Sequence, residues 1–193
     1  MKKIVLLALA ASTVAIATPA YAQATGTVNI TGSVADKCQV TPVSTGNYVT
    51  SRNLLELSQA DGTLEASATL AGRFGLAGTT APTFRVVCTT AAPKVSVAAA
   101  PLLHTTPGLQ ALAGGYTGTI NYTADVKVTT VAGSENVSDT SAGAGPTDLT
   151  LASRLAAAGN NIEITASAFN TTASALLNAG GYSGQIVVTV SPN

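Results

Sequence analysis

The chain has no tryptophan, one methionine, one histidine and two cysteines, and only 9% of its 193 residues are charged. Each scarcity closes off a kind of chemistry. A lone histidine, His104, cannot form the imidazole cluster of a zinc centre, and no D-x-D-x-D-G loop offers calcium ligands. His104 would be the base of any nucleophilic triad, yet no G-x-S-x-G elbow accompanies it. It lies in a Pro-flanked loop among threonines and reads as a surface histidine. Glu56, Glu65 and Glu163 could supply a carboxylate pair of the glycosidase kind, but each falls on the polar side of an alternating run and reads as solvated. Gly114-Gly115 and Gly180-Gly181 precede strands, where a phosphate cradle needs a helix. No catalytic residue, metal site or cofactor is therefore assigned, and the chain reads as a non-enzyme. Basic residues form no patch to track a nucleic acid. Five tyrosines and three phenylalanines leave few aromatics for a sugar-binding platform.

Long apolar runs are also missing. The longest, Ile4 to Ile16, is shorter than the roughly 20 residues of a membrane span. With Lys2 and Lys3 before it and Ala20-Tyr21-Ala22 after it, residues 1–22 read as a secretory signal peptide. A chain beginning at Gln23 would be exported through the inner membrane and would carry a formal charge of about −2, with no membrane span. Two cysteines in an exported chain predict one disulfide, Cys38–Cys88. Closing that loop would stabilise the fold by roughly 4 kcal/mol in the chain-entropy model. Asn29, Asn121, Asn136 and Asn170 each open an N-x-[ST] triplet, as chance provides in a threonine-rich chain.

What the chain has is alternation. From Gly26, residues Val28, Ile30, Gly32 and Val34 point one way and Thr27, Asn29, Thr31 and Ser33 the other, the pattern of a half-buried strand. Residues 23–35 thus form an N-terminal strand with an apolar face that some groove must receive, and residues 36–193 the domain that follows. Leu55, Leu57, Leu64, Ala66 and Ala68 alternate around Asp61-Gly62, which predicts a two-residue hairpin turn, with a short helix over 54–60 as the rival. Residues 71–82 read as a loop. Phe84, Val86 and Cys88 share the inner face of a strand, with Arg85 and Thr89 outward. Val95 and Val97 point inward from the next strand, followed by a loop over 101–115. Residues 113–123 and 179–189 repeat a Gly-Gly turn, a tyrosine and an alternating strand. Tyr116 and Tyr182 should each bury a ring there while the hydroxyl finds a backbone partner. Ile120, Tyr122, Ala124, Val126 and Val128 continue the first copy, and Ile186, Val188 and Val190 the second. Residues 138–147 read as a loop, Leu149, Leu151 and Leu155 as a short element, and Ile162 and Ile164 as the start of another strand. Seven or eight short strands predict an all-β, two-sheet antiparallel sandwich.

The run Gly26-Thr-Val-Asn-Ile-Thr-Gly-Ser-Val-Ala-Asp-Lys-Cys38 resembles the N-terminus of chaperone–usher pilus subunits, G-x-V-x-[FI]-x-G-x-[VI] followed by a cysteine. Phe84 to Thr89 resembles that family's second cysteine-bearing strand. Gly181 to Val190 resembles the closing strand of the spore-coat-protein-U-like pilins. Two features depart from the pattern: the chain ends Ser191-Pro192-Asn193 without a penultimate aromatic, and the cysteines stand further apart. The resemblance implies an immunoglobulin-like sandwich lacking its last strand. In such a subunit Val28, Ile30, Gly32 and Val34 would be donated to the next copy. It also implies self-association into a surface fimbria serving adhesion or biofilm formation, with a periplasmic chaperone and an outer-membrane usher as partners. From the residues alone, the same strand could instead close its own sandwich. The protein would then be a self-complete secreted or surface module, an adhesin or carbohydrate-binding domain.

Overall fold

The computed structural model describes residues 29–41 and 47–193, so Val28 and the signal-peptide reading of residues 1–22 lie outside the described residues. The chain divides into a unit ending at Ser33 and a unit covering Val34–Asn193. Among the described residues the second unit carries ten strands and one α-helix: β1 Cys38–Thr41, α1 Ser67–Phe74, β2 Thr83–Cys88, β3 Lys94–His104, β4 Tyr116–Thr117, β5 Thr119–Thr130, β6 Gly133–Thr140, β7 Thr147–Thr150, β8 Ile162–Asn170, β9 Leu176–Leu177 and β10 Tyr182–Ser191. The fold is all-β, as expected.

The main sheet runs β1-β2-β8-β5-β3-β10, with β6 added to β5 and β7 to β3. Every pairing in it is antiparallel. β3 and β5 meet only where Leu102 faces Ile120 and Leu103 faces Thr119. The sheet folds over at that corner into two layers, β1-β2-β8-β5-β6 and β10-β3-β7. Strong alternation explains the core between them. On β5, Ile120, Tyr122, Ala124, Val126 and Val128 are all buried, as are Val95 and Val97 on β3 and Ile162 and Ile164 on β8. Each fully buried aliphatic side chain contributes roughly 1.5–3 kcal/mol.

Several local expectations are corrected. Residues 101–115 are not all loop, because β3 continues through Pro101 to His104. Pro101 falls where β3 and β10 lose register, opposite the Ser183–Gln185 irregularity, so its missing N–H breaks no regular ladder. His104 is not a surface residue: it is 3% exposed. The loop assigned to 71–82 begins inside α1, whose buried Leu70 anchors it to the core. The loop assigned to 138–147 begins inside β6. Around Asp61-Gly62 the chain does reverse, but through a longer turn than the two-residue one. Gly62 N–H donates to Gln59 O at 3.0 Å and Gln59 N–H to Thr63 O at 2.8 Å. Gly62 takes φ 82°, a conformation that suits glycine. Asp61 accepts from the Thr63 hydroxyl at 2.6 Å, which holds its carboxyl below the usual carboxylate range. The flanks form only the isolated bridge Ser58–Leu64, not two strands.

The tyrosine repeat has two different outcomes. Tyr182 behaves as expected, its hydroxyl 2.8 Å from Asn178 O and 3.3 Å from Thr117 O. Tyr116 stays 47% exposed, so the expectation that it buries its ring fails. Its Gly114-Gly115 pair closes a tight turn whose ends are bridged, Ala113 to Tyr116, leaving the ring outside. Arg85, expected to be exposed, is half-buried, with its guanidinium bonded to Ala157 O.

Candidate functional site: an open groove beside the last strand

The two ends of the sheet do not pair with each other. Among the described residues β1 pairs only with β2 and β10 only with β3, which leaves one edge of each unpaired. Between them lies a groove of about 1200 Å³. Its floor carries Phe84 and Val86 of β2, Ile164 and Ala166 of β8, and Tyr122 and Phe169. One wall is β10, where Ile186, Val188 and Val190 are half-buried while Val187 and Thr189 between them are exposed. The other wall includes Cys38 and Val40 of β1.

Aromatic contacts stiffen this floor. Tyr48 stacks on Phe84 with ring centroids 4.8 Å apart, and Tyr122 stacks on Phe169 at 5.5 Å. The Tyr122 hydroxyl lies 2.8 Å from Ala100 O and 3.1 Å from Gln185 O, which ties β10 to β3 at the irregularity. Burial, with Asp139 nearby, pushes the Tyr122 phenol up to about 12. Among the described residues Arg52 is the one charged residue lining the groove, and its guanidinium donates to Thr80 O at 2.8 Å. A row of unpaired backbone groups above an apolar floor is a template for one more strand.

Cys38 and Cys88 stand directly opposite each other on β1 and β2, with Cα atoms 4.1 Å apart, and are bonded. The pair fixes the β1 wall to the floor, and a disulfide fits an oxidising, exported environment. Of the residues expected to be donated, Ile30 is 92% and Val34 77% exposed, a Cβ at Gly32 would meet nothing within 4 Å, and residues 29–37 belong to no strand.

His104 ends β3 opposite Tyr182, where β10 begins. Its Nδ1 accepts the Thr106 N–H at 3.0 Å, which leaves Nε2 to carry the proton toward Ala179 O, also at 3.0 Å. Both ring nitrogens are thus committed to backbone groups. The ring meets Tyr182 edge-on at 5.2 Å. It lies so close to Gly180 that any Cβ there would collide with it, a reason for glycine at that position.

Sequence reading located the β10 wall and the Phe84–Val86 floor but missed Tyr48 and the bonds by which the Tyr122 hydroxyl ties β10 to β3. Tyr48 sits in a stretch with no alternation to mark it. Asn161, just before β8, is buried and bonds both Val86 N–H and Val86 O, which locks that connection onto β2. The nearest carboxylate candidates do not converge: Glu65 pairs with Arg73 at 3.6 Å, Glu56 bonds Ser58, and Glu163 accepts the Gly78 N–H. No family model matches this chain, and neither a curated protein nor a solved structure is detectably similar to it.

Proposed function

We propose that this chain is the structural subunit of a fibre, in which the N-terminal strand of one copy fills the β10 groove of the next. The observation that carries the reading is the unpaired β10 edge above an apolar floor, in a chain with an exposed alternating segment near its N-terminus. Lengths agree: β10 has ten residues and Gly26–Val34 nine, each about 30 Å when extended. Burying Val28, Ile30 and Val34 would contribute roughly 1.5–3 kcal/mol each, besides a new ladder of hydrogen bonds.

Strand order supports the immunoglobulin-like part of this reading. β1, β2, β8 and β5 follow one another as strands A, B, E and D do in that sandwich, while β3 and β10 stand as C and F. The strand beside F is the one that lacks a counterpart. Tyr182, at the start of β10 with its hydroxyl on Asn178 O four residues back, has the form of a tyrosine corner.

Strand directions favour a second copy as the donor. Five antiparallel pairings separate β1 from β10, so the two run in opposite senses. A strand laid antiparallel to β10 therefore runs parallel to β1. Only Ala35–Lys37 connect Val34 to β1, a reach of about 10 Å, whereas parallel neighbours need a crossover of about a dozen residues. The chain can offer its own segment only in the reverse orientation, as a hairpin on β1. That hairpin is the self-complete alternative, a monomeric surface or periplasmic module.

Ile30→Asp separates the two. In a fibre subunit it abolishes assembly, because a buried unpaired carboxylate costs several kcal/mol, yet the recipient domain stays folded and is capped as a monomer by a peptide of residues 23–35. In a self-complete module the wild type is already a monomer, indifferent to the peptide, and Ile30→Asp destabilises it. Size-exclusion chromatography and electron microscopy of the chain from Gln23 distinguish these outcomes. On the fibre reading, a periplasmic chaperone and an outer-membrane usher would be the assembly partners, and the fibre would serve attachment at the cell surface.

A further inference from the structure

Charge is distributed unevenly over the molecule. No Asp, Glu, Lys or Arg occurs from Val95 to Ala124, nor from Thr165 to Asn193. These stretches contain most of β3, the loop over 105–115, β4, β9 and β10. They meet at one end of the sandwich, where Thr105 N–H donates to Gly181 O and Asn178 Nδ2 to Leu109 O. On that end Leu109, Leu112 and Tyr116 are 41%, 48% and 47% exposed. Surface loops normally carry charge; here Asp61, whose neighbour Gly62 accepts the Leu177 N–H of β9, stands at the margin of stretches that carry none and bear three large apolar side chains, the composition of an interface centre with a polar rim.

From this we infer that the end formed by Leu109, Leu112 and Tyr116 is a docking face for the body of the next copy of this chain. The inference rests on the strand-donation reading and adds a second contact to it. A donated strand antiparallel to β10 places its Val34 beside the start of β10, at Tyr182. Residues Ala35–Lys37 then allow about 10 Å before the donor's own β1 begins at Cys38. The donor body is thus tethered against this end of the recipient and not against the opposite end, where β10 finishes at Ser191. Apolar exposure lies where the tether delivers a partner. Tyr182, which lines the groove, joins it to this face: its hydroxyl lies 3.3 Å from the O of Thr117, the residue after Tyr116. Its occupant is a second copy, since any other partner would have to enter beneath a body held about three residues away.

The test compares two ligands of one recipient. Leu112→Glu with Tyr116→Glu is introduced into the chain from Gln23, with and without Ile30→Asp, and thermal melting checks the fold. Binding of a fluorescent peptide of residues 23–35 to the Ile30→Asp form reads the groove alone; fibre growth by light scattering and electron microscopy reads the capture of whole copies. The expected result is peptide affinity within about twofold of the unsubstituted recipient and fibre growth slowed about tenfold or more, with Leu112→Met and Tyr116→Phe growing normally. Normal fibre growth by the glutamate variant overturns the docking face while leaving strand donation intact. Equal loss of peptide binding also overturns it, since the effect would then belong to the groove. A wild type that takes up no peptide and forms no fibres overturns the strand-donation reading, and this inference with it.

Discussion

β5 and β10 begin with nearly the same words and end in different surroundings. Each is reached through Ala-Gly-Gly-Tyr, a small polar residue and Gly, and each then alternates, Ile120 to Val128 on one and Ile186 to Val190 on the other. The inward residues of β5 are buried throughout, because β8 pairs along one edge, β6 and β3 along the other, and the opposite layer covers its face. The inward residues of β10 are only half-buried, because β3 is its one partner among the described residues. Burial is therefore a property of the neighbours, and the same apolar pattern records a strand paired along both edges in one place and along a single edge in the other.

Substitutions on the two strands should separate those roles. Val126→Asp, in the closed part of the core, should abolish the cooperative unfolding transition of the chain, since several kcal/mol of burial cost fall on a marginally stable domain. Val188→Asp should leave the isolated subunit folded by far-UV circular dichroism but prevent peptide uptake. Equal damage from both would erase the distinction.

Phe84→Ala is next in size. It removes a floor side chain stacked on Tyr48 and should cost about 3–5 kcal/mol in denaturant unfolding. A much smaller loss in the isolated subunit than in the peptide-capped one would show that the floor is packed only after a strand arrives.

Alkaline pH gives a smaller, graded effect through Tyr122. Its phenol is pushed up to about 12 in the folded chain, against an ordinary value of about 10. The unfolded chain loses this proton first, so the contribution is complete below pH 10 and is lost as pH rises through about 12. Denaturant midpoints followed between pH 9 and 12, beside the ultraviolet titration of the tyrosines, check both limbs. Smallest of all, Lys94→Ala should leave the melting midpoint unchanged: the Lys94–Asp148 pair, at 2.6 Å, is exposed on the outer face, and such pairs contribute little.

The legible parts of this fold were those where one face is apolar and the other is not. β2, β5 and β8 declared themselves through Phe84–Val86, Ile120–Val128 and Ile162–Ile164. β6 did not, because its inward residues include Asp139, which is buried by accepting the Ala99 N–H at 2.8 Å and the Thr147 hydroxyl at 2.9 Å. A polar side chain that finds its partners across strands looks like loop in a linear reading. α1 was hidden by its brevity, with Leu70 its one buried residue, and His104 by a proline that the strand accommodates at an irregularity. For the groove, β10 and the segment before β1 were each legible as alternation, but the open edge was not. An open edge is a fact of topology, and only the strand order β1-β2-β8-β5-β3-β10 exposes it.

Amide hydrogen exchange on β10 tests that open edge most directly. In the Ile30→Asp chain, the β10 amides facing away from β3 should exchange quickly, while those bonded to β3 are protected. Adding the peptide of residues 23–35 should slow the outward set by about tenfold or more and leave β5 unchanged, because one more strand supplies the missing partners. Outward β10 amides that are already protected without peptide, or that stay fast in its excess, would contradict the account.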